Sequence, residues 1–185
     1  MAQSSAPVCD FGWHAPEFDL ADVDGRRHTL ASTRGARGAL VMFICNHCPY
    51  VKAVLERIVR DCAELAPLGI GAAAIMSNDA AEYPEDAPAH MKRIARERGF
   101  GFPYLLDASQ EAARAYGAVC TPEFFGFNAA LELQYHGRLD ASKTSPVPGA
   151  RRELLEALRQ IAETGQGPRE QIAGLGCSIK WRRGA

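Results

Sequence analysis

The chain has 185 residues, 47% of them hydrophobic, so it is long enough for one domain with a substantial core and too short for two ordinary ones. Its 21 basic and 22 acidic residues give a formal net charge of -1, which offers no electrostatic attraction to nucleic acid or to an anionic membrane. No apolar run approaches the roughly 20 residues needed to span a bilayer, and the first residues lack the features of a secretory signal. We therefore expect a single cytoplasmic domain over residues 1–185, with neither nucleic acid nor membrane as a partner.

The first predicted elements are a β-hairpin and a buried strand. An Asp-Gly pair between two alternating segments is a strong hairpin signal, so residues 18–30 are predicted to form a hairpin with its turn at residues 22–25. Residues 31–38 are expected to form a loop. The run from Ala39 to Ile44 has no polar alternation, which is typical of a central strand buried on both faces.

A dithiol motif follows this strand directly and leads into an amphipathic helix. Cys45 and Cys48 are separated by two residues, and apolar side chains then recur at helical spacing as far as Leu65. We expect Cys45 at or near the start of this helix and Cys48 one turn further in. The unpaired N–H groups and the positive dipole end at a helix start favour an anion, and so favour a thiolate.

The later elements alternate between strands and helices and end with a strand pair and a helix. In chain order, we predict a strand at 70–76, a helix at 87–98, a short strand at 102–106, a helix reaching 116–117, two strands at 123–127 and 131–136, and a helix at 151–163. The acidic residues of the polar loop before the second helix are predicted to form a solvated face: Asp79, Glu82, Glu85 and Asp86. Alternation of strands and helices implies parallel pairing with right-handed crossovers. Residues from about 165 to 185 are predicted to form a C-terminal extension.

The Thr121-Pro122 pair falls in the loop before the predicted antiparallel strands. Together with a CxxC that enters a helix after the first buried strand, it indicates an α/β thioredoxin-like fold, in which helices flank a central mixed β-sheet. In such folds this loop holds a cis proline beside the dithiol, so the Thr121-Pro122 bond is predicted to be cis. Pro122 donates no backbone hydrogen bond, whereas the Thr121 backbone can pair with an extended substrate.

The remaining cysteines are expected to be free or catalytic thiols, because the chain is larger than a small secreted domain and shows no export signal. Cys62 lies on the apolar stripe of the helix and is interpreted as a small core residue. Cys120, two residues before Pro122, is either an extra redox thiol or a small apolar residue. Cys177 is either a residue that folds back to serve as a third redox thiol or a regulatory disulfide partner, or a structural residue.

The chemistry that this motif favours is dithiol–disulfide exchange. Cys45 is predicted to attack a substrate disulfide as a thiolate, and Cys48 to resolve the mixed disulfide. A protonated His47 between the two sulfurs would stabilise a thiolate. The alternative interpretation is that His47 is a solvated residue at a helix start with no catalytic role. The residues predicted to support the dithiol are Asn46, His47, Pro49, Thr121 and Pro122.

Five segments together resemble a known family. They are residues 15–30, 45–52 (CNHCPYVK), 77–79, 116–122 and 176–181 (GCSIKW). They resemble the peroxiredoxin-like branch of the thioredoxin superfamily, the redoxin group with a CxxC that is often labelled thiol-specific antioxidant or alkyl hydroperoxide reductase-like. The resemblance runs over nearly the whole chain. It implies a thioredoxin-like fold and thiol redox chemistry, and it does not specify a substrate.

A thiol-dependent peroxidase is a second function that the resemblance suggests. Peroxiredoxins carry a Pro-x-x-x-Thr/Ser-x-x-Cys motif, whose proline and hydroxyl shape the peroxide pocket. Counting back from Cys45, the corresponding positions hold Gly38 and Met42, and counting back from Cys48 they hold Val41 and Cys45. Because neither frame keeps the motif, disulfide exchange is favoured over fast peroxide reduction.

A metal-binding module and a redox-inert interaction scaffold are two less favoured functions. Cys45 and Cys48 would give two zinc ligands, but a closed structural site needs four, and the remaining two would have to come from Cys120, His136 or Cys177. We therefore expect no metal and no cofactor. The expected partners are protein or low-molecular-weight disulfides and thiols, and the residues indicate no particular oligomeric state.

Overall fold

The protein is described by a computed structural model that covers residues 3–182. Within these residues the strands, in chain order, are β1 (Gln3–Ser5), β2 (Asp19–Asp22), β3 (Arg27–Thr29), β4 (Gly38–Phe43), β5 (Ile70–Met76), β6 (Tyr104–Leu106), β7 (Cys120–Thr121), β8 (Glu123–Asn128), β9 (Leu133–Tyr135) and β10 (Leu175–Ser178). The α-helices are α1 (Leu30–Thr33), α2 (Pro49–Leu65), α3 (Pro88–Glu97), α4 (Glu111–Tyr116) and α5 (Glu153–Thr164), with 3-10 turns at Ala66–Leu68 and Pro84–Asp86. Among the helices so described, none is long and apolar enough to cross a membrane.

A mixed sheet forms the centre of the molecule, in the order β3-β2-β6-β5-β4-β8-β9. Strands β4, β5 and β6 run parallel to one another, and the other neighbours in this sheet are antiparallel. All six residues of β4 are buried, as expected for a strand covered by structure on both faces. The predicted hairpin, buried strands and α/β class with a central mixed sheet are confirmed.

The central strand β4 divides the core into two layers, because successive side chains of a strand point to opposite faces. Leu40 and Met42 pack with the apolar stripes of α2 and α5, whereas Val41 and Phe43 pack with a cluster of aromatic side chains on the other face. Fully buried aliphatic side chains such as Ile58 of α2 each contribute about 1.5–3 kcal/mol. The dithiol motif follows the carboxyl end of β4, and both of its cysteines pack in the layer that contains α2 and α5.

A second, three-stranded antiparallel sheet has the order β1-β10-β7. Its middle strand, β10, comes from the predicted C-terminal extension, and both β1 and β10 are absent from the sequence-based predictions. In the register of β10 against β7, Cys177 lies opposite Thr121 and Ser178 lies opposite Cys120. The predicted extension is therefore the segment that brings Cys177 back to the loop of Thr121.

The predicted loop at residues 31–38 is wrong in its first part, where the structure has α1. Thr29 and Ser32 form a capping box, in which each side chain accepts a hydrogen bond from the other residue's backbone N–H. These bonds satisfy N–H groups at the start of the helix and stabilise one short turn. The hydrophobic pattern of four residues is too short to reveal such a helix.

Candidate active site

Helix α2 begins at Pro49, and Cys48 is its N-cap residue. The predicted placement of Cys45 at the helix start, with Cys48 one turn further in, is therefore wrong by three residues. Pro49 explains the difference, because proline is favoured at the first helical position, where its missing N–H costs no hydrogen bond. The helix dipole and the unpaired N–H groups consequently act on Cys48 rather than on Cys45.

Thr121 holds both sulfurs of the dithiol from the neighbouring loop. Cys48 Sγ donates a hydrogen bond to the Thr121 carbonyl oxygen at 3.1 Å, and Cys45 Sγ lies 3.3 Å from Thr121 Oγ1. The Thr121-Pro122 peptide bond is cis, which confirms that prediction. Both thiols are buried, with Cys45 1% and Cys48 0% exposed.

The Cys48 sulfur is surrounded by hydrogen-bond donors that favour its thiolate. The Cys45 thiol contributes most, followed by the thiol and the backbone N–H of Cys177. These donors outweigh burial and lower the pKa of Cys48 to about 5, because hydrogen bonds to a charged form stabilise it. The lowered pKa favours ionisation of Cys48 over ionisation of Cys45, and the hydrogen bond from Cys48 to the Thr121 carbonyl belongs to the protonated form of Cys48.

Cys45 has the opposite electrostatic environment. Its hydrogen bond to Cys48, its burial and the nearby carboxylate of Asp86 all raise its pKa well above the ordinary value. The Thr121 hydroxyl acts in the other direction without cancelling these effects. Cys45 is therefore a protonated thiol that donates to the neighbouring thiolate.

Asp86 is the buried centre of the loop structure beside the dithiol. Its side chain is 0% exposed, so the prediction that it belongs to a solvated acidic face is wrong. One carboxylate oxygen accepts from the backbone N–H groups of Asn46 and His47, at 2.7 and 3.3 Å. The other lies 2.7 Å from His47 Nδ1 and accepts from Asn78 Nδ2 at 2.9 Å. Burial opposes ionisation, but these hydrogen bonds outweigh it and lower the pKa of Asp86.

The two residues between the cysteines serve this network. The Asn46 side chain donates to the Glu85 carbonyl at 2.8 Å and accepts from the Tyr104 hydroxyl at 3.0 Å. The His47 ring stacks on Tyr83 with centroids 5.0 Å apart, and its Nε2 is buried without a hydrogen-bond partner in the described part of the chain. His47 Nδ1 pairs with Asp86, and the described residues show no hydrogen bond from either ring nitrogen to a sulfur.

The structure also places the two additional candidate thiols. Cys177 hydrogen-bonds to the Cys48 sulfur, whereas the Cys120 thiol points to the Pro122 carbonyl oxygen at 3.9 Å. Burial raises the pKa of both, that of Cys177 to about 12. Cys62 is buried on α2 as predicted, and all six cysteines are unbridged.

The backbone of Thr121 is not open for pairing with an extended substrate, contrary to the prediction. Strand β10 occupies that position, with Cys177 opposite Thr121. The approach is so close that a Cβ on Gly176 would overlap the Thr121 carbonyl oxygen. The chain's own C-terminal strand thus covers the dithiol where a substrate strand was expected.

Two clefts flank the covered dithiol. One, of about 280 Å³, is lined by Cys45, Asn46 and Tyr104 together with residues of α2 and α3. The other, of about 220 Å³, is lined by Pro122, Tyr50 and the residues leading into β10. Cys45 lines the first of these clefts, whereas neither cysteine of the dithiol lines the second.

A group of possible metal donors overlaps the site. Donor atoms of Cys45, His47 and Asp86 lie within 4.8 Å of one another. The Asp86 oxygens, however, already take part in four hydrogen bonds, which a metal ion would have to displace. The zinc site predicted from the sequence shares only Cys45 with this cluster. Of its other candidate ligands, Cys177 lies beside Cys48 and His136 is paired with Glu123 at 2.8 Å. We assign the cluster to hydrogen bonding around the dithiol.

Comparison with known proteins places this site in a family. Residues 11–141, which include the dithiol and the cis proline, match the AhpC/TSA family. A curated relative is the thiol-disulfide oxidoreductase ResA of Geobacillus thermodenitrificans (strain NG80-2), which is 25% identical over 121 residues. This match covers 62% of the present chain and 61% of the relative's length.

Solved structures extend the match to the ends of the chain. An uncharacterized conserved protein from Geobacillus kaustophilus is 41% identical with a TM-score of 0.94, over 100% of this chain and 99% of that chain. The thioredoxin domain of a thiol-disulfide oxidoreductase from Bacteroides vulgatus is 14% identical with a TM-score of 0.58, over 70% of this chain and 89% of that chain. The second likeness concerns the fold and confirms that it is thioredoxin-like. With this fold, and with a family match over more than half of its length, the chain belongs to the AhpC/TSA family, in the redoxin branch of the thioredoxin superfamily.

Proposed function

We propose that this protein is a thiol-disulfide oxidoreductase that uses the Cys45/Cys48 dithiol to exchange disulfides with protein or low-molecular-weight partners. The observation that carries the proposal is the position of Cys48. Its sulfur lies at the N-cap of α2 and hydrogen-bonds to the thiol of Cys45. A thiolate with a second thiol in contact is the arrangement that two-step exchange requires. Family membership and the thiol-disulfide oxidoreductase among the relatives support it.

In the first step, the Cys48 thiolate attacks one sulfur of a partner disulfide. A bond forms between the Cys48 sulfur and that partner sulfur, and the other partner sulfur leaves as a thiolate. In the second step, Cys45 loses its proton and attacks the Cys48 sulfur, and the remaining partner thiolate leaves and takes up a proton. The partner is thereby reduced by two electrons, and the pair becomes a Cys45–Cys48 disulfide. The reverse sequence oxidises a partner dithiol.

The sequence-based assignment of Cys45 as the nucleophile is reversed in this proposal. That assignment depended on Cys45 lying at the helix start, where Cys48 actually lies. Since the thiolate is the attacking species, the sulfur with the lowered pKa is the better nucleophile at neutral pH. The raised pKa of Cys45 suits a thiol that holds its proton until the mixed disulfide has formed.

Two residues near the dithiol act as positioning residues in this scheme. Asp86 orients the backbone of Asn46 and His47 through its hydrogen bonds, and so sets the conformation of the segment between the cysteines. Thr121 contacts both sulfurs and keeps them on the same side of the cis proline.

The test is insulin-disulfide reduction in the presence of dithiothreitol, measured for single serine variants. Cys48→Ser should lose the activity above background, because the attacking thiolate is gone. Cys45→Ser should retain the first attack and show a reduced turnover. The matched control is Cys62→Ser, since Cys62 is buried on the same helix away from the dithiol and should keep the wild-type rate. A wild-type rate from Cys48→Ser would contradict the proposal.

Peroxide reduction is a second candidate, supported by the family match. The sequence argues against peroxidase activity, because neither Cys45 nor Cys48 is preceded by the proline and hydroxyl residues of the peroxidatic motif. We expect hydrogen peroxide to oxidise the dithiol slowly and without rapid thiol-dependent turnover. Rapid, catalytic peroxide consumption that depends on Cys48 would instead establish the peroxidase.

A further inference from the structure

Strand β10 brings a third thiol to the Cys48 sulfur. Cys177 lies opposite Thr121 in the antiparallel register of β10 and β7, and Thr121 is the residue whose carbonyl accepts from Cys48. The side chain of Cys177 hydrogen-bonds to the Cys48 sulfur, and its backbone N–H points to the same atom. Cys48 therefore has two thiol neighbours, Cys45 within its own motif and Cys177 from the far end of the chain.

The position of Cys177 is held on both sides of the residue. Before it, the close approach of Gly176 to the Thr121 carbonyl leaves no space for a side chain. After it, the Lys180 backbone N–H donates to the Asn78 side chain at 2.8 Å, and the Lys180 carbonyl accepts from the Asp79 N–H at 2.9 Å. With the strand fastened at both ends and Cys177 2% exposed, the contact between the two sulfurs is a built feature of the fold.

We propose that Cys177 is a second resolving thiol, which attacks the mixed disulfide on Cys48 and forms a Cys48–Cys177 disulfide. This inference rests on the proposed function, because it needs Cys48 to react first with a partner disulfide. It assigns a catalytic role to the C-terminal strand, outside the CxxC motif. The geometry that supports this role is the strand register: Cys177 lies opposite Thr121, whose carbonyl oxygen is 3.1 Å from the Cys48 sulfur.

The step balances without any further reactant. After the first attack, the Cys48 sulfur is bonded to a partner sulfur. Cys177 gives up its proton, its sulfur forms a bond with the Cys48 sulfur, and the bond from Cys48 to the partner breaks. The partner leaves as a thiolate and takes up the proton. The two electrons that reduce the partner disulfide then come from Cys48 and Cys177.

Cys120 is the neighbouring thiol that the same geometry excludes. It lies opposite Ser178 in the register of the two strands, one residue away from Cys177. Its thiol is directed at the Pro122 carbonyl oxygen, at 3.9 Å, rather than at Cys48. It is buried like Cys177 and therefore provides a matched control for general effects of removing a thiol from this sheet.

The experiment follows a single turnover of the full-length chain with DTNB, the disulfide of thionitrobenzoate. A Cys9→Ser background removes the thiol that is partly exposed. In Cys9→Ser/Cys45→Ser, we expect about two equivalents of thionitrobenzoate per chain, and peptide mapping should find Cys48 joined to Cys177. Adding Cys177→Ser should stop the reaction at about one equivalent, with a stable thionitrobenzoate adduct on Cys48. Cys177→Ala should give the same result, and Cys120→Ser in place of Cys177→Ser should leave the disulfide unchanged.

Each other outcome has a distinct meaning. A stable Cys48 adduct in Cys9→Ser/Cys45→Ser, with Cys177 still reduced, would overturn the role of Cys177 and leave the proposed exchange chemistry intact. Separate thionitrobenzoate adducts on Cys48 and Cys177, without a disulfide between the two cysteines, would also overturn the role of Cys177. If Cys48 does not react with DTNB in any of these variants, the proposed function itself fails, and the inference fails with it.

Discussion

Asp86 and His47 are joined by a hydrogen bond of 2.7 Å between Oδ2 and Nδ1, in a loop where the carboxylate is fully buried. This bond belongs to a set in which the carboxylate also accepts from two backbone N–H groups and from Asn78. A buried carboxylate with several donors stabilises a fold only while the set is complete, because each donor left unpaired costs free energy. The segment between the two cysteines therefore depends on a residue nearly forty positions further along the chain.

Asp86→Asn should lower the free energy of unfolding by about 2–4 kcal/mol, because an amide places a donor where donors already converge. It should also lower the pKa of Cys45, since it removes a nearby negative charge. Urea unfolding measures the first effect. Glu85→Gln is the control, because Glu85 is exposed and should change stability by less than about 0.5 kcal/mol. Equal effects of the two substitutions would show that the buried set is not what stabilises this loop.

The lowered pKa of Cys48 predicts a pH-dependent contribution to stability. This contribution is complete above the ordinary thiol pKa of 9.0, declines as the pH falls, and is lost below the folded-state pKa of about 5. Between these limits, the free energy of unfolding of the wild type should rise with pH relative to that of Cys48→Ser, which cannot ionise. Chemical denaturation of both proteins across this range provides the measurement. A difference that is constant with pH would mean that Cys48 is not a thiolate in the folded protein.

The tight contact at Gly176 predicts a strong effect of one added methyl group. Gly176→Ala would place Cβ against the Thr121 carbonyl, so we expect a loss of about 1–3 kcal/mol and displacement of β10. Displacement should in turn speed alkylation of Cys48 and Cys177, which mass spectrometry can follow. Gly174→Ala is the matched control, because the nearest atoms to its Cβ lie at 3.7 Å or more, an ordinary contact distance. Comparable alkylation in the two variants would contradict the covering role of β10.

The hydroxyl of Thr121 predicts a kinetic effect on Cys45. Thr121→Val keeps the shape of the side chain but removes the group 3.3 Å from the Cys45 sulfur, a group that lowers the pKa of Cys45. The resolving step should slow on the order of fivefold, as expected for the loss of one hydrogen bond of about 1 kcal/mol. Thr121→Ser restores a hydroxyl and should recover most of the rate. Stopped-flow measurement of the second exchange step compares the two variants. Equal rates for Thr121→Val and Thr121→Ser would show that the hydroxyl has no role in this step.

Elements with a clear local period could be predicted from the sequence. Strand β4 shows an unbroken apolar run, and α2 and α5 show apolar side chains at helical spacing, so their cores are specified by nearby residues. The hairpin was specified by its Asp-Gly turn, and the cis proline by its place in the order of elements. In each case the signal lies within the segment that folds.

Features that depend on distant pairing could not be predicted in the same way. Strand β10 has the sequence Leu-Gly-Cys-Ser, which has no alternation and low strand propensity, and it forms by pairing with β1 and β7. Likewise, composition does not reveal which carboxylate of an acidic loop turns inward, so Asp86 was missed among its exposed neighbours. The start of α2 had an available signal in Pro49, whose preference for the first helical position identifies Cys48 as the N-cap.

The pairing of β1 with β10 has a practical consequence for handling the protein. Gln3 lies opposite Cys177 in that register, so the third residue of the chain is the strand neighbour of a thiol that touches the dithiol. A tag or a protease cut placed beside Gln3 would act within a few residues of the reacting sulfurs. Tagged, cleaved and truncated versions of this protein should therefore be compared for exchange rate before any of them is treated as the wild type.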